Sequence, residues 1–523
     1  MPVAFAPLDP SSPSSPSSPS SPQSPPRPRQ RLRPTRLLHA VPLPLPRHPA
    51  VLAWGLAAVF AALYTCVGVN RHRRGLTKAY DLGIFEQAVR AYADGRAPIV
   101  PLKAPGYDLL GDHFHPLLAV LAPAYRAFPS PLTLVVAQAL LMALAVVPLT
   151  RWAHQVAGPR VALLVGCATG ASWGIVRAAA DDFHEIAFAV PLLAFAATAL
   201  GRRRPLAAAL WSLPLLLVKE DLGLTVAAVG LLIAHQARQD RRTPLPGLAL
   251  AVTGVAATAL TLLVVLPAFN PNGGFDYWQQ LDAGGGQAAP LWTLPLRLGW
   301  PPIKWLLLFL LAATTGFLGL RSPLALLCAP TLAWRLLSTN PHYWGVSYHY
   351  SAVLMPIAFA ALVDAVRRAR ARASARATEA DTGTDTGPAP ATPRRVRRAL
   401  AVTALVTVVT LPLYPLHEVV MPEAWRTSPR LTETRAMLRL IPDDTTVAAS
   451  NRLAAQLTGR AEVTLVCQDP VGPGPDWVAV DLRDPSVQSP CATAATARML
   501  AAYQSRGYHR LIDRDGLLLL KHP

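Results

Sequence analysis

The chain has 523 residues, of which 52% are apolar and only 15% are charged. About a quarter of the residues in an ordinary soluble domain are charged, so this composition argues against a soluble enzyme and predicts a polytopic membrane protein. The formal net charge of +19 does not indicate nucleic-acid binding, because the basic residues are spread among short loops instead of being gathered on one soluble domain.

Within residues 1–48, residues 8–34 are a Ser/Pro repeat followed by alternating Arg and Pro. Such a composition cannot bury enough apolar surface to fold, so this segment is predicted to be a disordered tail. Its arginines place it in the cytoplasm by the positive-inside bias. It lacks the features of a secretory signal peptide, and we therefore expect the first apolar run to persist as a membrane anchor.

Residues 49–416 are predicted to form a transmembrane domain that is mainly α-helical. Its apolar stretches approach the roughly 17 to 25 residues that a spanning helix needs, and they predict about eleven spans. They begin near Val51, Leu132, Val161, Glu185, Leu206, Leu222, Leu248, Ile303, Pro323, Ser351 and Leu400. Leu117 to Phe128 is a candidate re-entrant element, and the Arg-rich stretch 367–398 is predicted to be a cytoplasmic linker.

The polar residues between these stretches fall into five clusters. Charged groups cost about 2.5 to 3.5 kcal/mol each at the centre of a spanning helix, so they are rarely placed near a bilayer without partners or a task. Counting crossings from the cytoplasmic tail puts all five clusters on the outer face, where they predict a single site. They are DLGIFEQ (from Asp81), GDHFHP (from Gly111), DDFHE (from Asp181), KED (from Lys219) and NPHYWGVSYHY (from Asn340).

A basic cluster that includes Arg71, Arg73 and Arg74 follows the first span and would lie outside, against the positive-inside bias. One interpretation is a solvated flank that touches anionic head groups. The other is that Arg73 and Arg74 bind the phosphate of a lipid carrier, since arginine is a usual phosphate partner.

Asp81 precedes a run in which Leu82, Phe85, Val89 and Tyr92 repeat at helical spacing. This pattern predicts an amphipathic helix at the outer interface with Asp81 as its N-cap. A carboxylate at the membrane boundary is also a candidate general base, able to take a proton from an acceptor hydroxyl. The two roles are compatible.

The other clusters supply candidate binding groups. His113 and His115 would share one face of an extended segment and suit a metal ion or a phosphate. Asp112 and Asp181 are candidate ligands of a divalent metal ion, although acids and histidines also cap and solvate helix ends. The KED triplet is explained either by a tight turn or by a phosphate contact from Lys219. The candidate substrate-binding residues are Arg73, Arg74, His113, His115, Asp182, His184, Lys219, Glu220 and His349.

Residues 417–523 have the pattern of a small α/β domain. With an odd number of spans before it, this domain lies outside the cell, where Cys467 and Cys491 could form a disulfide. Its predicted elements are a helix at Leu431–Leu440, strands at Thr446–Ala449, Val463–Val466 and Trp477–Leu482, a helix at Thr493–Ser505 and a hairpin that turns at Asp513 and Gly516.

Five motifs carry a family resemblance. They are YDLGIFEQ (80–87), GDHFHPLLAVLAPAY (111–125), DFHEIAFAVPLL (182–193), LLLVKEDLGL (215–224) and HYSAVLMPIAF (349–359). In these motifs the chain resembles a bacterial family of predicted membrane proteins of unknown function, which itself looks like a distant branch of the GT-C glycosyltransferases. GT-C enzymes move sugars from polyprenyl-phosphate carriers on the outer membrane face, and their catalytic acid lies in the first extracytoplasmic loop. Asp81 matches that position, but the adjacent second acid that some GT-C enzymes carry is missing, which puts a metal requirement in doubt.

The resemblance implies an enzyme of the bacterial cytoplasmic membrane that passes a sugar from a polyprenyl-phosphate donor to a glycan, lipid or protein acceptor. One alternative is a transporter or flippase for a lipid-linked or polar solute, which should place its charges near the bilayer midplane and often shows inverted repeats. Another is a non-catalytic envelope assembly protein. The charges here lie at loop mouths, which favours the transferase.

Overall fold

The structure is a computed structural model that describes residues 48–280, 293–380, 393–469, 472, 474–484 and 490–523. The predicted tail lies outside the described residues except for its last residue, and so does the middle of the predicted linker. The helices up to residue 410 are α1 (Pro49–Arg73), α2 (Ile84–Ala93), α3 (Ala122–Ala127), α4 (Pro131–Leu144), α5 (Val146–Ala157), α6 (Pro159–Gly170), α7 (Trp173–Ala180), α8 (Ala189–Gly201), α9 (Pro205–Ser212), α10 (Leu222–Gln239), α11 (Leu245–Leu260), α12 (Leu266–Phe269), α13 (Leu294–Gly299), α14 (Ile303–Thr314), α15 (Ala329–Leu337), α16 (Pro341–Trp344), α17 (Leu354–Ala380) and α18 (Arg394–Thr410).

Short helical turns connect or extend many of these helices. Two are π-helical, Ala79–Gly83 and Thr261–Val265. The 3-10 turns are Leu109–Gly111, Pro116–Leu121, Glu185–Ala187, Leu213–Leu217, Asp276–Gln280, Gly319–Arg321, Pro323–Cys328, His349–Ser351, Leu411–Leu413, Pro415–Val419 and Pro422–Trp425.

Five helical segments of the described chain are long and apolar enough to cross a membrane. They are Pro49–Arg73, Pro131–Ala157, Leu245–Phe269, His349–Arg376 and Arg394–Leu413. The pair α6 and α7, bent by 43°, makes a sixth if it counts as one broken span. The polytopic helical architecture is therefore confirmed, whereas the predicted number of eleven spans is not. Several of the remaining apolar stretches form shorter helices, among them Glu185–Gly201 and Pro323–Leu337.

Helix α17 lies at the centre of the helical bundle and packs against α5 and α8. Its first half is almost entirely buried, as the unbroken apolar run from Leu354 predicts. The predicted linker is helical up to Ala380, because Arg and Ala favour helix and because Asp364 accepts hydrogen bonds from Arg367 (2.8 Å) and Arg368 (2.6 Å). The first part of the predicted linker is therefore helical, and its role as a cytoplasmic linker stays a prediction.

The C-terminal part contains a five-stranded sheet in the order β2-β1-β3-β5-β4. Strand β1 pairs in parallel with β2 and β3, and β5 pairs antiparallel with β3 and β4. The elements lie close to their predicted positions. Cys467 and Cys491, whose pairing the sequence left open, form a disulfide with Cα atoms 5.6 Å apart. The elements are α19 (Pro429–Leu438), β1 (Thr446–Ala449), α20 (Asn451–Ala454), β2 (Glu462–Leu465), β3 (Trp477–Asp481), α21 (Thr493–Ser505), β4 (His509–Arg514) and β5 (Leu517–Lys521).

The C-terminal part packs directly on α2. Gln87 Nε2 donates a hydrogen bond to the Val463 carbonyl (2.9 Å), and Arg90 Nη1 donates one to the Thr458 carbonyl (2.9 Å). Most of α2 is buried as a result. The helix is amphipathic as predicted, but its polar side contacts protein and does not face solvent.

Candidate functional site

Asp81 lies inside the π-helical turn Ala79–Gly83, which runs directly into α2. The backbone N–H of Tyr80 donates to Asn451 Oδ1 (3.0 Å), so the C-terminal part holds this turn in place. The predicted N-cap role is wrong, because Gly83 occupies the N-cap position of α2 and no side chain caps it. The Asp81 carboxylate instead faces His184. Turns of this rare type often occur at functional sites.

Five residues form what we call the His184 cluster: Asp81, Asp181, Asp182, His184 and His349. His184 Nε2 lies 3.5 Å from Asp81 Oδ1, and the His184 and His349 rings pack with centroids 3.5 Å apart and planes tilted by 32°. His349 Nδ1 lies 3.8 Å from Asp181 Oδ2. Asp182 Oδ1 accepts from the backbone N–H of Lys78 (3.2 Å). Three separate segments of the chain thus meet at one histidine pair.

Gln138, on α4, fixes the segment that carries three of these residues. Its Nε2 donates to the carbonyls of Ala178 (2.8 Å) and Asp182 (3.1 Å), and its Oε1 accepts from the backbone N–H of His184 (2.9 Å). His184 Nδ1 donates in turn to the Asp182 carbonyl (2.6 Å). This bond leaves the other ring nitrogen, Nε2, directed at Asp81.

The charged groups of the His184 cluster shift one another's pKa values. Burial and the charges of Asp81 and Asp181 raise the pKa of Asp182 to about 8. Burial acts against a charged His184, but the adjacent Asp81 carboxylate outweighs it and raises the pKa of His184 to about 9. Burial likewise opposes ionisation of Asp81, yet His184 holds its pKa below the usual value. At neutral pH the cluster therefore contains an ionised Asp81 beside a cationic His184.

A second group of charged residues, the Lys219 cluster, adjoins the first through Glu185, the residue after His184. Lys219 Nζ donates to Glu185 Oε1 (2.6 Å), and the His113 ring pairs with Glu220 Oε1 (2.8 Å). Lys103 Nζ lies 3.0 Å from Asp112 Oδ1. The cluster consists of Lys103, Asp112, His113, Glu185, Lys219 and Glu220.

The local backbone explains why GDHFHP can reach this cluster. Gly111 packs against the end of α12, where a Cβ atom would lie 2.5 Å from the backbone nitrogen of Asn270. Asn270 Nδ2 also donates to the Gly111 carbonyl (3.0 Å). Glycine is therefore required at position 111, and the close approach places Asp112 and His113 beside Tyr277, which stacks on the His113 ring at 4.6 Å.

The cations of the Lys219 cluster are already paired. Burial opposes a charged Lys219, but Glu185 and Glu220 outweigh it and raise its pKa further. Burial lowers the pKa of His115 to about 4, so this fully buried ring is neutral at neutral pH. His115 packs at an angle to Phe85. In this arrangement Lys219 and His115 form part of the wall of the site.

The two candidate metal ligands do not meet. Asp112 is bound by Lys103 and accepts from the Tyr277 hydroxyl (3.1 Å), whereas Asp181 lies between Arg177 (3.6 Å) and His349. Among the residues that the structure describes, no group of three or more His, Cys, Asp or Glu side chains is arranged to hold a metal ion. Each carboxylate already has a cation beside it, so neither one needs a metal ion to balance its charge.

Arg73 and Arg74 lie elsewhere. Arg74 Nη1 pairs with Glu418 (3.5 Å), and both arginines line a cavity between the end of α1 and the segment that precedes α19. The structure thus brings six of the nine candidate binding residues into the two clusters. It places His115 beside them, packed on Phe85, and Arg73 and Arg74 in a different cavity.

Several residues of the site were not found from the sequence. Lys103, Tyr277 and Trp334 each contact a carboxylate of the site, the last donating its indole N–H to Asp221 Oδ2 (2.8 Å). The positions of the lysines in the sequence could have indicated Lys103. The chain has only five lysines, at positions 78, 103, 219, 304 and 521, and the first four fall in loops predicted to lie outside.

Arg335 on α15 positions the segment that carries His349. Its guanidinium donates to the carbonyls of Tyr343 (2.5 Å) and Tyr350 (3.1 Å) and to Ser351 Oγ (3.2 Å). Arg335 is fully buried, so these bonds compensate the cost of removing its charge from water. Tyr343 and Tyr350 meet edge to face at 4.8 Å. These two aromatic rings therefore help to pack the segment that carries His349.

Residues 71–519 match the model of the family described as "Predicted membrane protein (DUF2079)". The chain belongs to this family. Membership confirms the resemblance read from the five motifs and the assignment as a membrane protein. No curated protein sequence matches the chain.

Several solved structures are similar to the chain, among them the following two. A crystal structure of ArnT from Cupriavidus metallidurans in the apo state has 14% sequence identity and a TM-score of 0.45, with 90% of this chain and 98% of ArnT covered. The archaeal oligosaccharyltransferase AglB from Archaeoglobus fulgidus, in complex with an inhibitory peptide and a dolichol-phosphate, has 12% identity and a TM-score of 0.32, with 90% of this chain and 74% of AglB covered.

Proposed function

We propose that this protein is a membrane glycosyltransferase. It would transfer a sugar from a polyprenyl-phosphate donor to a glycan, lipid or protein acceptor at the outer face of the bacterial cytoplasmic membrane. One observation carries the proposal: the side chain of Asp81 is 34% exposed, whereas that of its partner His184 is 6% exposed and that of Asp181 is 8% exposed. Asp81 is thus the carboxylate of the His184 cluster that a substrate can reach.

The proposed reaction is an inverting displacement. Asp81 takes the proton of an acceptor hydroxyl while the hydroxyl oxygen attacks the anomeric carbon of the donor sugar. The bond between that carbon and the phosphate oxygen breaks, and the lipid phosphate leaves with the electron pair. A depressed pKa keeps Asp81 ionised at neutral pH, and His184 fixes its orientation.

The departing phosphate needs positive charge near the reacting carbon. Lys219 and Arg74 are already paired with Glu185 and Glu418, which makes them poor candidates for this role. His184 and Lys78 are the two cations whose charges act on Asp81. We therefore assign the phosphate contact to Lys78. His184, whose two ring nitrogens face the Asp182 carbonyl and Asp81, adds its positive charge without a direct contact, and His349, which packs against it, has a supporting role.

The test is mass spectrometry of polyprenyl-phosphate sugars and envelope glycans in a deletion strain. The strain is complemented with the wild type, with Asp81→Asn, or with Asp94→Asn, a matched control at an exposed carboxylate that follows α2. We expect a lipid-linked sugar to accumulate and a glycan to lose one residue, with rescue by the wild type and by Asp94→Asn only. Full rescue by Asp81→Asn at equal expression would contradict the assigned base. An unchanged lipid and glycan profile after deletion would favour the transporter or assembly alternatives.

A further inference from the structure

A second site lies outside both clusters. A cavity of about 440 Å³ opens between the C-terminal end of α1 and the start of α19. Four arginines line it: Arg73 and Arg74 at the end of α1, Arg426 before α19, and Arg435 in the last turn of α19. None of these residues belongs to the proposed catalytic centre. Segments about 350 residues apart in the sequence thus bring their positive charge to one place.

The charge in this cavity is not balanced by the protein. Glu418 is shared by Arg74 and Arg71. Within the part of the chain that the structure describes, no carboxylate pairs with Arg73 or Arg426. Arg435 donates to the Arg73 carbonyl, so it is bound to backbone and not to an acid. The helix dipole explains basic residues at the end of α1, but it does not explain why Arg426 converges on them.

The surroundings of the cavity are apolar. Trp425, which also lines it, is 53% exposed, and the nearby Val420 is 81% exposed. Both residues lie between the last candidate span, which ends at Leu413, and α19. The first candidate span ends at Arg73 and the last at Leu413, so the cavity lies beside the ends of two candidate spans. An occupant that satisfies both features has an anionic group for the arginines and a hydrocarbon part for the exposed apolar side chains.

We propose that this cavity binds the phosphate head group of an anionic membrane lipid. The site goes beyond the proposed glycosyl transfer and does not depend on it. It also accounts for the basic cluster after the first span, which the positive-inside bias does not explain. Arginine forms paired, charge-assisted hydrogen bonds with phosphate, and several arginines together discriminate an anionic lipid from a zwitterionic one.

The test is native mass spectrometry of the delipidated full chain in detergent micelles. Phosphatidylglycerol, phosphatidylcholine or inorganic phosphate is added back to the wild type, to Arg73→Gln/Arg426→Gln, and to Arg506→Gln, an exposed arginine of the same C-terminal part. We expect phosphatidylglycerol to bind the wild type and Arg506→Gln with equal affinity, and the double variant at least about tenfold more weakly. If the double variant unfolds, the single Arg426→Gln replaces it, since this exposed side chain has no charged partner among the described residues.

Three results would overturn the proposal. Equal binding of phosphatidylglycerol to the wild type and the arginine variant would show that these arginines do not form a lipid site. Equal affinity of the wild type for phosphatidylcholine and phosphatidylglycerol would show that the site does not select anionic lipid. Displacement of the lipid by inorganic phosphate at equal concentration would assign the site to free phosphate. Asp81→Asn is expected to keep wild-type lipid affinity, so failure of the catalytic proposal and failure of this one can be told apart.

Discussion

Replacing Asp81 with Asn should reduce the loss of stability that the wild type shows in alkaline solution. In the folded protein the pKa of His184 is raised from 6.5 to about 9. The stability gained from this shift is fully present below pH 6.5 and is lost as the pH rises through about 9. At 1.36 kcal/mol per pKa unit, the shift corresponds to roughly 3 kcal/mol.

Asp182 also contributes to the loss of stability as the pH rises. Its pKa is raised to about 8, so the folded protein holds a proton there that the unfolded chain releases near its ordinary pKa of 3.8. Stability therefore also falls as the pH rises from 3.8 to about 8, and this contribution is constant at higher pH. Asp81 contributes to both raised pKa values through its negative charge. Between pH 6.5 and 8 Asp182 adds about 2 kcal/mol to the loss from His184, so the wild type loses roughly 5 kcal/mol between pH 6.5 and 9.5. Neutralising Asp81 lowers both pKa values, and we expect the variant to lose less than about half of this amount.

The assay is the melting temperature of the purified protein in detergent micelles, followed by tryptophan fluorescence at pH 6.5, 8 and 9.5. The control is Asp94→Asn, which removes an exposed carboxylate paired only with Arg96 on the surface. The control should follow the wild type across this range, because exposed ion pairs contribute at most about 1 kcal/mol. Parallel curves for the wild type and Asp81→Asn would refute the coupling between Asp81 and the two raised pKa values.

Three further outcomes follow from single contacts. Lys219→Met should destabilise the protein by about 3 to 5 kcal/mol, because it leaves Glu185 buried without its cation; the melting temperature measures this, and adding Glu185→Gln should recover part of the loss. Cys467→Ser should cost about 2 to 4 kcal/mol and make the C-terminal part more sensitive to limited proteolysis, since the disulfide joins residues 24 positions apart. Arg335→Lys cannot reproduce the forked contacts with the His349 segment and should cost about 2 kcal/mol or more in thermal unfolding; an unchanged melting temperature would contradict that role.

The sequence was sufficient to find the segments of the site because charge is costly beside a membrane. Asp81, Asp181, Lys219 and His349 stand out as polar residues between apolar runs, and each belongs to one of the two clusters. The strands and helices of the C-terminal sheet were also predictable, because its short alternating segments are separated by clear turn residues.

The sequence could not predict which residues pair with one another in the site. The pairing depends on contacts between residues far apart, such as Tyr80 with Asn451 or Lys103 with Asp112. The N-cap prediction for Asp81 failed for the same reason, since a contact from the C-terminal part supports a π-helical turn there. The number of spans was hard to predict because several apolar stretches form short or bent helices at proline and glycine, as Pro159–Gly170 and Trp173–Ala180 do.

Most buried charged groups of the two clusters are paired with a neighbour, and the carboxylate of Asp81 is the one that a substrate can reach. An unpaired buried charge is very costly, so Lys219, Glu185 and Glu220 neutralise one another or a neighbouring histidine. Asp81 differs, because its partner His184 covers only one side of an otherwise reachable carboxylate. The turn that presents it is held by Asn451, whose backbone lies beyond the last candidate span. Docking of the C-terminal sheet is therefore part of what orients Asp81, and a membrane part without that sheet would lose this orientation.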